Sequence, residues 1–320
     1  MQEAFDTPDT PHHSPRVAVL GSANMDLVVT VDRAPNRGET VTGRTFHTVP
    51  GGKGANQALA AARAGGSVTF LGAVGDDAYG TQIRSLLAAD GIDVRGVVTA
   101  EVPTGTAHIV VDGDGGNAIV VVPGANATVT ALTDEHRAAI EAADALLLQL
   151  ELPLSVVVEA AKFAHARGVR TVLTPAPVVD LPADLLDVID LIVPNEHEAA
   201  LLWDLSGRTS LRAAPERVSG LTGDVLVTRG ATGSLWYGRD GAVIAVPAFP
   251  VEAFDTTAAG DTFVGAFAVA WVSGMAVEPA MRWASAAAAL AVQRLGASAS
   301  MPYRADIEDF VQRRPYSARR

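Results

Sequence analysis

The stretch TTAAGDTFVGA, residues 256–266, sets one carboxylate, Asp261, between very small side chains and a long apolar segment. Two chemistries fit. Asp is a favoured helix N-cap, because its oxygens accept from the free N–H groups of a first turn. Equally, small residues ahead of a helix let an anion reach the backbone, where N–H groups and the positive end of the helix dipole favour negative charge. An acid placed there makes sense if it takes a proton from a hydroxyl that attacks a phosphoryl group held by those donors. GSANMD (21–26) carries Asn24 and Asp26, which point to one side of an extended segment. Such a pair suits vicinal hydroxyls, since a carboxylate accepts from two O–H donors at once; an Asx-turn is the plainer alternative. In VPGGKGANQALA (49–60), Lys53 is followed by Gly54 rather than Ser or Thr, and His47 occupies the earlier glycine position, so this is not a P-loop. Its Gly-rich turn still admits a ligand close to the backbone, with Asn56 one turn into the helix behind it. PNEHE (194–198) spaces Asn195 and Glu198 for one side of a starting helix, as a cap or as water-mediated Mg²⁺ ligands. TRGATGS (228–234) is a Gly-flanked turn that can lie along a nucleotide or serve as a plain loop.

These clusters need a frame. RVAVLG, SVTFLG, ADALLLQLE, VRTVLTPAP, VIDLIVPNE and GDVLVTRG are short apolar runs, each stopping at a polar or Gly/Pro cluster, and helical patterns separate several of them. Alternating strands and helices predict an α/β chain: a mainly parallel sheet with helices on both faces, and ligands at the carboxyl ends of its strands. Two regions break the alternation. Residues 25–50 and 106–124 read as β-hairpins, DGDGG marking one turn, and imply a small accessory sheet that is a lid, a dimer surface or an extension of the main sheet.

Composition narrows the classes. With 320 residues and 48% hydrophobic content the chain can bury a large core. A formal charge of −12 repels phosphate backbones, which argues against nucleic acid as a partner. Cysteine is absent, which excludes disulfides, thiolate ligands and a cysteine nucleophile and fits a cytoplasmic protein. The longest uncharged apolar run, between Asp261 and Glu278, falls short of the roughly 20 residues of a membrane span, so a buried helix is expected. Residues 1–15 lack the basic and apolar regions of a signal peptide and read as a disordered tail ahead of one domain, 16–320.

In order along the chain, GSANMD, RGETVTG, GGKGANQA, GDDAYG, LLLQLELP, TPAP, PNEHEA and DTTAAGDTF resemble the ribokinase family of carbohydrate kinases, from about Arg16 to Pro302. The resemblance implies a three-layer fold with a β-sheet lid and ATP-dependent phosphorylation of D-ribose at its 5-hydroxyl. Asp261 matches the family's base, and the N–H groups of Ala258, Ala259 and Gly260 its anion hole. Asn24, Asp26, Gly52, Lys53, Asn56 and Glu151 match sugar positions. Asn195, Thr228, Arg229, Gly230, Ala231, Gly233, Gly260 and Ser285 match nucleotide positions, with Asn195 and Glu198 in the family's N-x-x-E motif for Mg²⁺. Asp255, Thr257, Ala291, Arg294, Gly296 and Ser300 match a K⁺ site, and the hairpins a lid-mediated homodimer. Three positions depart from the family's pattern: Thr174 stands before PAP in place of a common Asn, Val264 in place of an Asn, and Ser285 where a His or Asn often borders adenine. Deoxyribose or a nucleoside as substrate, and a non-catalytic sugar-binding regulator, are the alternatives. A nicotinamide-dependent dehydrogenase lacks its glycine fingerprint here.

Overall fold

A computed structural model of the chain describes residues 14–114, 116–205 and 222–314. Most of the expected tail therefore lies outside the described residues. The strands are β1 (Arg16–Leu20), β2 (Asn24–Thr30), β3 (Thr45–Gly51), β4 (Ser67–Gly75), β5 (Val97–Ala100), β6 (Gly105–Val111), β7 (Asn117–Val122), β8 (Ala145–Leu148), β9 (Arg170–Leu173), β10 (Leu191–Ile192), β11 (Asp224–Thr228), β12 (Ser234–Tyr237) and β13 (Val243–Val246). The helices are α1 (Lys53–Arg63), α2 (Ala78–Ala89), α3 (Asp134–Glu141), α4 (Leu154–His165), α5 (Ala183–Leu186), α6 (Glu196–Leu205), α7 (Ala259–Val272), α8 (Val277–Ala291), α9 (Ala297–Ser300) and α10 (Arg304–Arg313).

Nine strands form one sheet in the order β13-β12-β11-β10-β9-β8-β1-β4-β5. Pairing is parallel from β5 to β11 and antiparallel only at β11–β12 and β12–β13. The central strands are apolar on both faces because helices cover both. Along β1 the side chains alternate. Val17 and Val19 join the core under α1, α7 and α8, whereas Ala18 and Leu20 join the core under α3 and α4. The apolar run after Asp261 forms α7, a buried helix. Among the described residues no helix is long and apolar enough to cross a membrane.

The two hairpins do not extend the main sheet. β2 pairs with β3 and β6 with β7, both antiparallel, and a parallel β2–β6 pairing joins them into a separate sheet in the order β3-β2-β6-β7. β2 starts four residues after β1 ends, so this second sheet grows from the carboxyl edge of the main one. One glycine sets the helix spacing that matters most. A Cβ on Gly265 of α7 would lie 2.7 Å from the Gln57 carbonyl and 2.8 Å from the Ala61 nitrogen of α1. Only glycine permits that approach, which brings the first turn of α7 against the first turn of α1.

Candidate active site

Asp261 is not the cap of its helix. α7 begins at Ala259 after Ala258, so Asp261 is its third residue. Its carboxylate points across to α1: Asn56 Nδ2 donates to Oδ2 at 3.1 Å, and Gln57 Nε2 donates to Oδ1 at 3.1 Å. Burial pushes its pKa up to about 6, against the pull of nearby Lys53 and the donors Gln57 and Asn56, with Glu151 adding to the rise. The cap position is taken by Ala258, whose φ of 56° is left-handed. Such a conformation is strained for a residue with a Cβ and is found where function requires it. One expected anion-hole donor is already engaged: the Ala259 N–H donates to the Thr256 carbonyl at 3.2 Å, a consequence of the turn closing on itself. The N–H groups of Ala258 and Gly260 have no backbone acceptor among the described residues, and the space beside the Gly260 Cα is open.

Asn24 and Asp26 stand at the start of β2, two apart on one face, so strand geometry rather than an Asx-turn places them. Asn24 is buried, and its Oδ1 accepts from Asn126 Nδ2 at 2.8 Å. The Asp26 carboxylate lies over Gly51, where any Cβ would overlap it. Burial, then Glu151 and Asp261, push Asp26 up to about 7, while Lys53 pulls it down. Lys53 opens α1 after Gly52, which has a φ of 91°. Burial pulls the Lys53 ammonium down, but Asp261, Glu151, Glu198 and Asp26 outweigh it and hold its pKa above the ordinary value. Glu151 Oε2 accepts from the Ser22 hydroxyl and from the Lys53 N–H, the latter at 3.1 Å. Three carboxylates, Asp26, Glu151 and Asp261, thus share the field of the Lys53 ammonium, and the Asn56 and Gln57 amides bond to one of them; all are groups that recognise hydroxyls.

The other expected residues lie at or after the ends of β10 and β11, just before α7, or in and between α8 and α9. Asn195 and Glu198 cap α6 reciprocally: the Asn195 N–H donates to Glu198 Oε2 at 2.8 Å and the Glu198 N–H to Asn195 Oδ1 at 2.8 Å. The cap alternative is therefore realised, and among the described residues it leaves Glu198 Oε1 and Asn195 Nδ2 without a hydrogen-bond partner. Thr228 ends β11 and bridges Asn195. The turn after it closes through the Arg229 N–H on the Gly233 carbonyl at 2.7 Å, and Gly230 and Ala231 are exposed at its tip. Arg229 pairs with Glu196 at 3.4 Å. Ser285 is buried in α8. Asp255 ties two loops together, Oδ1 accepting from the Thr257 N–H at 2.9 Å and Oδ2 from the Gly296 N–H at 2.8 Å. Burial raises its pKa, but those donors outweigh burial and hold it below the ordinary carboxylate value. The Ala291 carbonyl accepts from the Arg294 N–H at 3.1 Å, and the buried Ser300 hydroxyl donates to the Ala297 carbonyl at 2.9 Å. Among the described residues no group of three or more His, Cys, Asp or Glu is placed to hold a metal ion.

A model of the family described as pfkB family carbohydrate kinase matches residues 14–304. The chain belongs to the pfkB family of carbohydrate kinases. A ribokinase of Bacillus subtilis is 44% identical over 299 residues, covering 92% of this chain and 99% of that protein. A deoxyribokinase of Salmonella typhi is 37% identical over 304 residues, covering 92% of this chain and 97% of that protein. The structure of Arabidopsis thaliana ribokinase complexed with ribose and ATP superposes with a TM-score of 0.85 at 36% identity, covering 95% of this chain and 100% of that one.

Within this pfkB carbohydrate kinase, several polar residues at the site carried no weight in the sequence reading. Gln57, Gln149, Asn126 and Ser22 are all buried. Asn126 holds Asn24 and also accepts from the Ala23 N–H at 2.9 Å. A usable signal existed for one of them: Gln149 is a lone amide inside the apolar run LLLQLEL. A polar group in such a run is buried and must find a partner. Asn126 lies in a short 3-10 turn and carries no comparable mark.

Proposed function

We propose that this kinase transfers the γ-phosphoryl group of ATP to the 5-hydroxyl of D-ribose, giving ribose 5-phosphate and ADP. The observation that carries it is the placement of Asp261. A carboxylate with its pKa raised to about 6 sits in the same helical turn as the N–H groups of Ala258 and Gly260, which have no backbone acceptor among the described residues. A base with a pKa near neutrality is well matched to hydroxyl deprotonation. Asn24, Asp26, Lys53, Asn56 and Glu151 hold the sugar, the carboxylates accepting from its hydroxyls. Asp261 takes the proton of the 5-hydroxyl as the O5–P bond forms. The bond from the γ-phosphorus to the bridging oxygen breaks, and its electron pair leaves with ADP. The N–H groups of Ala258 and Gly260, with Lys53, stabilise the charge on the transferring group. Asn195, Thr228, Arg229, Gly230, Ala231, Gly233 and Ser285 flank the nucleotide.

Mg²⁺ is part of this proposal: it asks for only one or two carboxylates besides the phosphates and keeps several waters, which suits Glu198, whose Oε2 alone is engaged among the described residues. When bound it neutralises phosphate charge. K⁺ belongs to it as well: Asp255 ties the Thr257 and Gly296 loops together, and Asp255, the Ser300 hydroxyl and the carbonyls of Thr257, Ala291, Arg294 and Gly296 would hold it through oxygen alone. Asp255 holds the Thr257 N–H, one residue before the anion-hole turn, so a cation bound to Asp255 would help to order that turn. Exchanging K⁺ for Na⁺ is expected to lower turnover more than ribose affinity. Equal activity in both salts removes the cation site.

The second sheet serves as a lid over the sugar and as a homodimer surface. Its register puts Ile119 and Val121 of β7 on the face that carries Asp26, and these side chains are 52% and 45% exposed. Exposed apolar patches of this kind mark interaction sites. Sedimentation is expected to show a dimer that Ile119→Lys splits into monomers; a monomeric parent protein rules the dimer out. A cytoplasmic location is part of the same proposal, in keeping with ATP as donor and the absence of cysteine.

A coupled ADP-release assay with ribose, deoxyribose, hexoses and nucleosides tests the substrate. The highest kcat/KM is expected for ribose. A preference for deoxyribose moves the assignment to the specificity named for the Salmonella relative, and no turnover on any sugar supports a regulator.

A further inference from the structure

Behind Asp261 lies a chain of buried amides that the proposed reaction does not use. Gln57 Nε2 donates to Asp261 Oδ1 at 3.1 Å and to Thr174 Oγ1 at 3.1 Å. Gln57 Oε1 accepts from Gln149 Nε2 at 2.7 Å. Both glutamines are fully buried. The sense of the Gln57 amide follows from its partners. Turned over, it would aim an oxygen at the Asp261 carboxylate and its NH₂ at the NH₂ of Gln149, two repulsive contacts in a low-dielectric interior.

Gln149 shows what this arrangement costs. Its own Oε1 is buried with no hydrogen-bond donor among the described residues. That oxygen lodges against Gly21, where any Cβ would overlap it. A buried carbonyl without a partner is unfavourable and calls for a reason. Reversing the Gln149 amide would set oxygen against oxygen at Gln57. Gln149 thus leaves its carbonyl unpaired while its NH₂ holds Gln57.

We infer that Gln57 is a positioning residue for the Asp261 carboxylate and that Gln149 fixes the sense of the Gln57 amide. The chain from Gln149 through Gln57 holds Oδ1 of the base, leaving Oδ2, bonded to Asn56, to take the proton. This rests on Asp261 being the base. The groups facing that carboxylate are Gln57, Asn56 and Lys53 of α1, Asp26 of β2, and Glu151 after β8.

The test uses the full chain with Gln57→Met, Gln149→Met and the two combined, beside Asp261→Asn. Met keeps the length and removes both donors. Gln57→Met is expected to lower kcat by about 10–100-fold, with KM for ribose near the parent value. The acid limb of its kcat–pH profile moves to higher pH, because the carboxylate has lost a donor that favoured its charged form. Gln149→Met gives a smaller loss in the same direction. The combined variant matches Gln57→Met alone, since Gln149 acts only through Gln57. Additive losses, an unmoved acid limb, or losses confined to KM and melting temperature overturn the inference. Where Gln57→Met fails to fold, the kcat and acid limb of Gln149→Met decide. If Asp261→Asn keeps its turnover, the base assignment itself fails. If Asp261→Asn is inactive while Gln57→Met matches the parent, only the positioning role fails.

Discussion

Asp261→Asn is expected to lower turnover by roughly 10²–10⁴-fold, the usual worth of a general base. Ribose affinity should change little, because Asp261 exchanges a proton rather than gripping the ring. Folding should also survive. The carboxylate is not the cap of α7; it accepts from Asn56 and Gln57 across the helix interface. Its pKa is raised on folding, so the ionised form is a burden on the native state at neutral pH; the neutral amide relieves it once the Asn56 amide turns over to accept from the new NH₂. A turnover assay with thermal melts separates the cases. Near-parental turnover, or a loss that only follows unfolding, contradicts the role of base.

The second large effect concerns Asp26. Asp26→Asn removes a charged acceptor from the sugar hydroxyls, and ribose affinity is expected to fall on the order of 10–100-fold. The same change should stabilise the protein without ligand at alkaline pH. Asp26 has a folded pKa of about 7, raised by burial and by Glu151 and Asp261. Between its ordinary value and about 7 the native state binds more protons than the unfolded chain, so stability falls as pH rises through that window. Above it the parent carries the full burden of the buried charge, which Asn lacks. The melting temperature of Asp26→Asn should therefore exceed the parent's at pH above about 7, and the gap should narrow as pH drops toward the ordinary carboxylate range. Ribose titration by calorimetry at two pH values, with matched melts, reads both effects. Unchanged affinity, or a lower melting temperature under alkaline conditions, contradicts this account.

How far the site was legible depends on how each residue is held. The strand ends were readable because apolar runs stop where the chain leaves the sheet, and the sheet collects those stops on one edge. Asn24, Asp26, Glu151 and Asn195 all stand at such stops, whereas Lys53 follows β3 of the second sheet. The separate second sheet was half legible: each hairpin showed its own alternation, but the parallel β2–β6 pairing joins segments some eighty residues apart and leaves no local mark. Asp261 was readable as a candidate base, yet its place three residues into α7 was not. The helix starts on a left-handed alanine, which no propensity favours. The same long-range packing hid Gln57 and Asn126. Their partners arrive from α7, β8 and β2, and Gly265 brings α7 within reach.

The most direct measurement is the identity of the product. The chain is incubated with ATP, Mg²⁺, K⁺ and D-ribose, and ³¹P and ¹³C spectra are followed over time. The account predicts loss of the ATP γ-phosphorus signal, growth of ADP, and a phosphate ester coupled to carbon 5 of ribose, with none of this in Asp261→Asn on the same timescale. Phosphate on another carbon, free inorganic phosphate without a sugar ester, or an unchanged spectrum would contradict it.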